Sequence, residues 1–370
     1  MSPLELAELV RHELIDGNSG DSDMLDAVIE RQVRRNCPLL SPNDHERLLS
    51  AVRAELTGLG PLDELMADAE VSEIMVNAGE VWVERSGRLL KAGRLGAGRA
   101  EAAVERILAP LGRRIDRLHP IVDARLADGS RLCAIVPPLA VDGICLSIRR
   151  FRTRRIELAE FASPPEVALL EALVAGRCNL VVIGATSSGK TSLLNALAGM
   201  VDGGERIVTV EDVAELRLAN EHVVRLECRP ATVDGAGEVS PRDLVRAALR
   251  LRPDRLVVGE VRGAEAADML QALSTGHDGS MSTCHANSPL DALRRIELMA
   301  LQAAESAPLV ALREQVHASI DTVVHVGRGP SGVRQVMEIA ELHETPDGPA
   351  RLRSLASGGR VLAAPTRFRR

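Results

Sequence analysis

Two short stretches of the sequence carry residue types that could do phosphate chemistry. The first, GATSSGKT, satisfies the pattern G-x-x-x-x-G-K-[ST] of a phosphate-binding loop. In such a loop the glycines let the chain wrap with its amides turned inward, so that these amides and a helix N-terminus hold phosphate oxygens. Lys190 would add a charge for the β- and γ-phosphates, and Thr191 would offer a hydroxyl to Mg²⁺. The candidate nucleotide-binding residues are Gly184, Ala185, Thr186, Ser187, Ser188, Gly189, Lys190, Thr191 and Ser192.

The second stretch, GHDGSMSTCHAN, places two histidines eight residues apart, with a cysteine beside the second. An imidazole near a γ-phosphate can donate a hydrogen bond, so His277 and His285 are candidate phosphate contacts. They could instead be structural, or they could ligate zinc together with Cys284. Tetrahedral zinc sites favour tighter spacings, and Cys284 would point to the opposite face of a strand from His285, so the zinc alternative is the weakest.

Hydrolysis also needs a carboxylate that orients water and a ligand for Mg²⁺. RIVTVED ends in Glu211 and Asp212, and RLVVGEV carries Glu260 at its tip. Ligands gather at the carboxyl ends of parallel strands, so Glu260 has the right position, whereas Asp254 precedes its strand. Glu211 could alternatively be a helix-capping acid.

Uninterrupted apolar strands that alternate with helices must position these residues. NLVVIG, RIVTVED, RLVVGEV and SMSTCHA are typical of strands, and TSLLNALAGM, LVRAALRL, AADMLQALS and LDALRRIELMAL are typical of helices. This alternation predicts a parallel sheet with both faces covered. An antiparallel β appendage is expected from DTVVHVGRG to ARLRSLA, and the tail from Arg367 to Arg370 is expected to be frayed.

The chain is predicted to have three parts: a helical segment over 1–58, a small α+β domain over 59–152, and the phosphate-binding domain with its appendage over 153–370. In the small domain, EIMVN, VWVER and RLCAIVP are typical of strands and AEAAVERILAPLG of a helix. Ser-Pro-x-acid segments predict helix starts, because serine caps, proline fits the first position and the acid suits the positive helix end. The capping serines are Ser2, Ser41, Ser163, Ser240 and Ser288.

Composition limits the class of protein. The 370 residues carry a formal net charge of −7, one Trp, three Phe and no Tyr, which disfavours a general nucleic-acid binder. The six cysteines form no C-x-x-C pair, and no apolar run is long enough to span a bilayer. A cytosolic protein with reduced thiols is therefore expected.

Arginines could supply the positive charge that phosphoryl transfer needs, often across a subunit boundary. Two follow the RIVTVED strand, three lie in or at the end of the small domain, and one follows GEV as a candidate for an interface or for phosphate. Each could equally belong to a solvated basic surface. They are Arg225 and Arg229, then Arg131, Arg149 and Arg150, and finally Arg262.

Taken together, the chain resembles the secretion-ATPase superfamily of type II secretion, type IV secretion and type IV pilus systems. It is most similar to the CpaF/TadA-type ATPases of tight-adherence pilus assembly. The usual GGTGSGKTT loop of that family reads GATSSGKTS here. The resemblance covers about residues 56–345, including GLGPLDELMADAEVSEIMVN, HPIVDARLADGSRL, RIVTVEDVAELRL, LVRAALRLRPDRLVVGEVRG and STGHDGSMSTCHANSP.

The resemblance implies an α/β protein: a RecA-like P-loop ATPase domain, a smaller PAS-like α+β domain and a helical N-terminal segment. It implies that Glu211 helps to order Mg²⁺ and water, that Glu260 polarises the attacking water, and that small-domain arginines reach nucleotide held by the large domain. The expected protein is a cytoplasmic hexamer that hydrolyses MgATP. It would power pilus assembly or protein export through integral inner-membrane platform proteins, without direct contact to nucleic acid.

Two other functions stay open. RecA-like cores also serve nucleic-acid translocases, although the acidic balance and the scarcity of aromatics count against one. A small-molecule P-loop kinase would need an acceptor pocket and an arginine-bearing lid, and the sequence shows neither.

Overall fold

The chain forms two compact units, Met1–Thr153 and Arg154–Arg370, each with its own core. The computed structural model describes residues 1–17, 22–85, 87–126, 128–150, 156–229, 236–303, 308–329, 332–345 and 348–369. The predicted boundary between residues 152 and 153 lies outside these ranges, and the three-part division stays a prediction. Among the described helices, none is long and apolar enough to cross a membrane.

The N-terminal unit begins with three helices, as the sequence predicts. They are α1 (Pro3–Gly17), α2 (Ser22–Asn36) and α3 (Pro42–Thr57), and a short α4 (Asp63–Ala67) follows. Apolar side chains at helical spacing meet in a small core that includes Leu6, Val10, Ile29, Val33 and Val52. This segment therefore has packing of its own.

A six-stranded antiparallel sheet completes the N-terminal unit, in the order β3-β2-β1-β6-β5-β4. The helix α5 (Arg99–Leu108) contributes Val104 and Leu108 to the core that the sheet shares. The edge strands β3 and β4 and the central strand β6 escaped prediction; RLLKAGR in β3 is exposed at every position, so it lacks apolar alternation. The strands are β1 (Val71–Asn77), β2 (Glu80–Arg85), β3 (Arg88–Arg94), β4 (Ile121–Arg125), β5 (Arg131–Ile135) and β6 (Cys145–Arg149).

The second unit is built on a nine-stranded sheet in the order β15-β14-β13-β12-β7-β11-β10-β8-β9. Its strands are β7 (Leu180–Ile183), β8 (Ile207–Glu211), β9 (Val223–Glu227), β10 (Arg255–Val261), β11 (Met281–Cys284), β12 (Thr322–Arg328), β13 (Arg334–Thr345), β14 (Gly348–Ser357) and β15 (Arg360–Val361). Its helices are α6 (Pro164–Ala175), α7 (Lys190–Ala198), α8 (Pro241–Ala248), α9 (Glu265–Ser274), α10 (Pro289–Ala303) and α11 (Leu309–Ser319).

The six strands from β12 to β9 run parallel, as predicted for β7, β8, β10 and β11. Every residue of β7, β8 and β11 is buried, because helices cover both faces and two apolar cores form, one on each side. β9 and α11 escaped prediction. Charged residues interrupt VVRLE, which fits an edge strand with partial burial.

The β appendage is continuous with the core sheet. β12 pairs parallel with β7 on one side and antiparallel with β13 on the other. The prediction of antiparallel strands here is confirmed for the pairs β12–β13 and β13–β14, and the short β15 was not predicted. Because β12 adjoins the strand that leads into the phosphate loop, the appendage buttresses that loop directly.

All five Ser-Pro-x-acid segments begin helices, which confirms that prediction. In α8, Ser240 Oγ accepts from Asp243 N at 3.2 Å and donates to Asp243 Oδ2 at 2.6 Å. Ser163 and Glu166 form the equivalent capping box at α6. Local chemistry alone fixes these starts.

The expectation of a frayed tail is wrong for Arg367–Arg369. The carboxylate of Asp321, which is only 1% exposed, pairs with Arg367 Nε at 3.0 Å and with Arg369 Nε at 2.6 Å. The same carboxylate accepts the backbone N–H of Asn179, at the start of β7, at 2.8 Å. The tail packs against the domain because the guanidiniums of Arg367 and Arg369 both pair with the buried carboxylate of Asp321.

Asp321→Ala is expected to lower the free energy of unfolding of the second unit by about 3 kcal/mol, because it removes the buried carboxylate that two part-buried guanidiniums and the Asn179 N–H share. Urea unfolding monitored by circular dichroism measures this. Asp278→Ala is the control: its Oδ1 lies 3.0 Å from Arg369 Nη1, but the side chain is 26% exposed, so a loss within about 1 kcal/mol is expected. Equal losses for the two variants would contradict the assignment.

Candidate active site

The phosphate loop joins β7 to α7 through residues 184–189 and depends on glycine at both ends. Gly184 has φ +154° and Gly189 has φ +104°. A Cβ on Gly184 would collide with the carbonyl oxygen of Val326 in β12, and one on Gly189 would lie 3.0 Å from Phe161 Cε1. The loop therefore packs tightly between the β appendage and one of the few aromatic rings.

Lys190 is the first residue of α7, its side chain reaches back to the loop, and it is only 7% exposed. Its Nζ donates to the carbonyl oxygens of Gly184 and Ala185, at 3.1 Å each, and lies 3.2 Å from His285 Nδ1. A buried ammonium that faces its own loop is in place to bind an anion held there.

The strand register brings the predicted acids to the edge of the sheet that carries this loop. Ile183, Cys284 and Val261 pair across β7, β11 and β10. Glu211 is the last residue of β8, Glu260 the penultimate residue of β10, and His285 the first residue after β11. The prediction that the two glutamates lie at the loop's edge of the sheet is confirmed.

A continuous series of polar contacts runs along this edge. His285 Nε2 lies 2.9 Å from Glu260 Oε1, and Glu260 Oε2 accepts from Arg262 Nη2 at 2.6 Å. Arg262 Nη1 reaches Asp212 Oδ2 at 3.1 Å. Lys190, His285, Glu260, Arg262 and Asp212 thus connect the ends of four neighbouring strands.

Charge at this edge is set by burial and by the neighbours. Burial lowers the pKa of His285, and Lys190 lowers it further against the opposing effect of Glu260. The imidazole is therefore neutral at pH 7, with Nδ1 accepting from Lys190 and Nε2 assigned as the N–H that faces Glu260. Burial opposes ionisation of Glu260, but Arg262, His285 and Lys190 outweigh it, so its pKa is lowered and the carboxylate is charged.

Glu211 lies in a different environment, with 4% of its surface exposed. Its Oε1 accepts the N–H groups of Glu215 and Leu216 at 2.9 Å each. Burial raises the pKa of Glu211 to about 7 despite these hydrogen bonds. A carboxyl group this buried favours a nearby cation.

Gly259 explains why the strand before Glu260 carries no aspartate. A Cβ at Gly259 would lie 2.8 Å from Glu211 Cγ, so the side chain of Glu211 occupies that space. The absence of a side chain at Gly259 on β10 therefore makes room for the side chain of Glu211 on β8.

Gly259→Ala is expected to slow nucleotide hydrolysis by at least about tenfold, because the methyl group must displace Glu211. Steady-state phosphate release measures this. Gly203→Ala is the matched control, since its Cβ would meet nothing within 4 Å. A Gly259→Ala enzyme as fast as this control would show that Glu211 has room to move.

The residues at this edge fit a magnesium-bound phosphate. Ser188 Oγ and Glu211 Oε2 are buried, and neither has a hydrogen-bond partner among the described residues. Mg²⁺ prefers oxygen ligands and takes only one or two from the protein when phosphate supplies others. Thr191, on the first turn of α7, and Glu211 are the side chains that would hold it.

The raised pKa of Glu211 predicts a pH effect on stability without metal. The folded state keeps the proton between pH 4.5 and about 7, whereas the unfolded state has lost it, so stability falls as pH rises through this window. Glu211→Gln is therefore expected to be more stable than the unaltered chain at pH 8, by about 3 kcal/mol, and equal near pH 5. The measurement is denaturant unfolding of both proteins in EDTA at the two pH values. If the free energies of unfolding of Glu211→Gln and the unaltered chain differed equally at pH 5 and pH 8, the titration of Glu211 would be contradicted.

Comparison with known proteins places the chain in a family. The family described as Type II/IV secretion system protein matches residues 55–361. The chain belongs to this family. A Mycobacterium tuberculosis protein provisionally named a conjugal transfer protein is 42% identical to this secretion protein over 312 residues, which cover 80% of this chain and 88% of the relative.

Other relatives agree with this assignment. The type IV secretion system protein PtlH of Bordetella pertussis is 36% identical over 317 residues, covering 76% of this chain and 93% of PtlH. The structure of the Legionella pneumophila ATPase DotB matches with a TM-score of 0.54 and 21% identity over 75% of this chain and 79% of DotB, which shows a shared fold. The predicted α/β fold class, with a parallel-sheet domain that carries the phosphate loop and a smaller α+β domain, is confirmed.

The structure of this secretion protein separates the two histidines. His285 lies at the carboxyl end of β11, whereas His277 precedes the strand, and its Nδ1 lies 3.1 Å from Ala272 O at the end of α9. Since β11 has four residues, the two edges are about 13 Å apart. His277 is therefore not a contact for phosphate held by its own chain, and the structural alternative fits it. Cys284 is buried in the core, so the three residues do not converge on one metal.

Two of the candidate arginines, Arg225 and Arg229, lie away from the loop within the second unit. Arg225 is on β9, the sheet's last strand, and donates to Ala214 O at 3.1 Å; Arg229 follows β9 and donates to Gly237 O at 2.6 Å. Four strand spacings, about 19 Å, separate β9 from β7. In the N-terminal unit, Arg131 is on β5, Arg149 is exposed at the end of β6, and Arg150 donates to the carbonyl oxygen of Val71 at 3.0 Å. Their roles stay predictions.

Proposed function

We propose that the protein is an ATPase that hydrolyses MgATP as a hexamer to power pilus assembly or protein export. The observation that carries this proposal is the convergence of Lys190, His285 and Glu260 beside the phosphate loop, through contacts of 3.2 Å and 2.9 Å. Cleavage of a terminal phosphate by water needs a cation for the phosphate and a carboxylate for the water. Both are present here, with a neutral imidazole between them.

Each side chain has a task that its position supports. Lys190 would exchange the carbonyls of Gly184 and Ala185 for phosphate oxygens. Glu260, charged at neutral pH, would orient water and accept its proton, while His285 would donate a hydrogen bond at the same edge. Thr191 and Glu211 would hold Mg²⁺, which supplies neutralising charge when bound.

The arginines support a multi-subunit site. Arg225 lies on the edge strand β9 and Arg229 follows it, positions from which they could serve a neighbouring subunit. Arg150 is engaged by backbone carbonyls, so exposed Arg149 is the better candidate for contact with nucleotide. Charge delivered between subunits would couple hydrolysis in one to movement of the next.

The relatives' names indicate the kind of work. Their names refer to conjugal transfer and type IV secretion. We infer that the protein acts at the cytoplasmic face of the inner membrane, held there by integral platform proteins, and that it assembles a tight-adherence pilus or exports protein.

A nucleic-acid translocase is the second candidate, because a relative's name refers to conjugal transfer. The net charge of −7 and only four aromatic residues, one Trp and three Phe, argue against it.

Phosphate release by the purified protein tests the proposal. We expect release in Mg²⁺, loss of release in EDTA, and a sedimentation mass of six subunits. Added single-stranded or duplex DNA at moderate salt is expected to change the rate less than about twofold; strong stimulation would favour the translocase. Capture from membranes in MgATP should recover integral platform proteins, and recovery of DNA-processing proteins alone would contradict the export role.

A further inference from the structure

Arg262 occupies a fixed place between two strand ends. Its backbone N–H and that of Gly263 donate to Glu265 Oε1 at 2.6 Å and 2.9 Å, and Glu265 is only 5% exposed. The main chain after β10 is thus pinned to the first turn of α9. From this anchored position the guanidinium bridges Glu260 and Asp212.

The bridge fixes the orientation of the Glu260 carboxylate. Arg262 holds Oε2 at 2.6 Å, which leaves Oε1 directed to His285. A planar guanidinium holds its donors in fixed directions, so with Nη1 on Asp212 the Nη2 donor on Glu260 has a fixed position as well. Without it, Glu260 could rotate away from the loop.

Arg262 contributes little by packing. Its side chain is 57% exposed, and exposed ion pairs add little to stability. Glu260, in contrast, is 18% exposed and lies between Arg262 and His285. The main effect of the Arg262–Glu260 ion pair is therefore to orient the Glu260 carboxylate.

We propose that Arg262 is a positioning residue for hydrolysis, which holds Glu260 with one oxygen turned toward the phosphate loop. This inference rests on the proposed ATPase function and assigns Arg262 no contact with nucleotide. Its effect passes entirely through Glu260, and this distinguishes it from an arginine that binds phosphate or a neighbouring subunit.

The test compares Arg262→Ala and Arg262→Lys in steady-state phosphate release. Arg262→Ala is expected to lower kcat by about 10-fold to 100-fold with KM for ATP within about twofold, because misplacement affects the reacting geometry and leaves binding intact. Lysine restores a charge but only one donor direction, so partial recovery of kcat is expected. Arg246→Ala is the control, because it removes a similar pair, 2.7 Å from Asp268, that does not involve Glu260.

A double variant identifies the route of the effect. In a Glu260→Gln background, Arg262→Ala is expected to cause no further loss in single-turnover rate. A further loss there, a large rise in KM, or an unchanged kcat in the single variant would each overturn the proposal. If the unaltered chain releases no phosphate, the proposed function fails and this inference fails with it.

Discussion

Glu260→Gln is expected to reduce ATP hydrolysis about 1000-fold while nucleotide binding stays nearly intact. The amide keeps the shape that fills the site but cannot accept a proton, and general-base contributions are about 10² to 10⁴. Single-turnover phosphate release gives the rate, and titration calorimetry gives the affinity. Because Lys190, the loop and Thr191 are untouched, nucleotide should accumulate on the variant.

Glu171→Gln is the control for this experiment. It removes the same charge as Glu260→Gln, and Glu171 is exposed on α6. It should behave like the unaltered chain. A Glu260→Gln enzyme that releases phosphate at the control's rate would eliminate Glu260 as the base and remove the main support for the proposed function.

Lys190→Ala is expected to weaken nucleotide binding by at least about 100-fold, because it removes a charged donor whose hydrogen bonds contribute about 1.5 to 3 kcal/mol each. The loss should be in affinity, in contrast to the loss of rate in Glu260→Gln. Calorimetric titration with a slowly hydrolysed ATP analogue measures it.

The chain offers a close control for this change. Lys91 is its only other lysine, and it pairs with Glu80 at 2.7 Å in the N-terminal unit. Lys91→Ala should leave affinity unchanged. If both variants bound the analogue equally well, Lys190 would have no part in the site.

The sequence could predict what local chemistry determines. Ser240, Pro241 and Asp243 specify a helix start through contacts within four residues, so capping needs no knowledge of the fold. The buried strands were equally readable, because β7, β8 and β11 are apolar or small at nearly every position. The positions of Glu211 and Glu260 follow from one rule, that ligands gather at the carboxyl ends of parallel strands.

The same rule, applied to the histidines, would have separated them. His277 precedes its strand and His285 follows it, and only the second position meets the loop of a parallel sheet. The spacing of the two histidines in the sequence hides this difference, because both belong to one short motif.

Other features have no local signal. Arg367 and Asp321 are 46 residues apart and meet only after the sheet forms. Gly259 and Glu211 lie on different strands, so the reason for the glycine becomes visible only when β8 and β10 are adjacent.

The scarcity of aromatic rings has a practical consequence. Trp82, the only tryptophan, is on β2, with Lys91 Nζ 5.9 Å from its ring centre, and the chain has no tyrosine. Intrinsic fluorescence therefore reports on one half of the molecule, while the half that carries the phosphate loop emits almost nothing. Tryptophan emission followed alongside far-ultraviolet dichroism would resolve the melting of the two halves without any label.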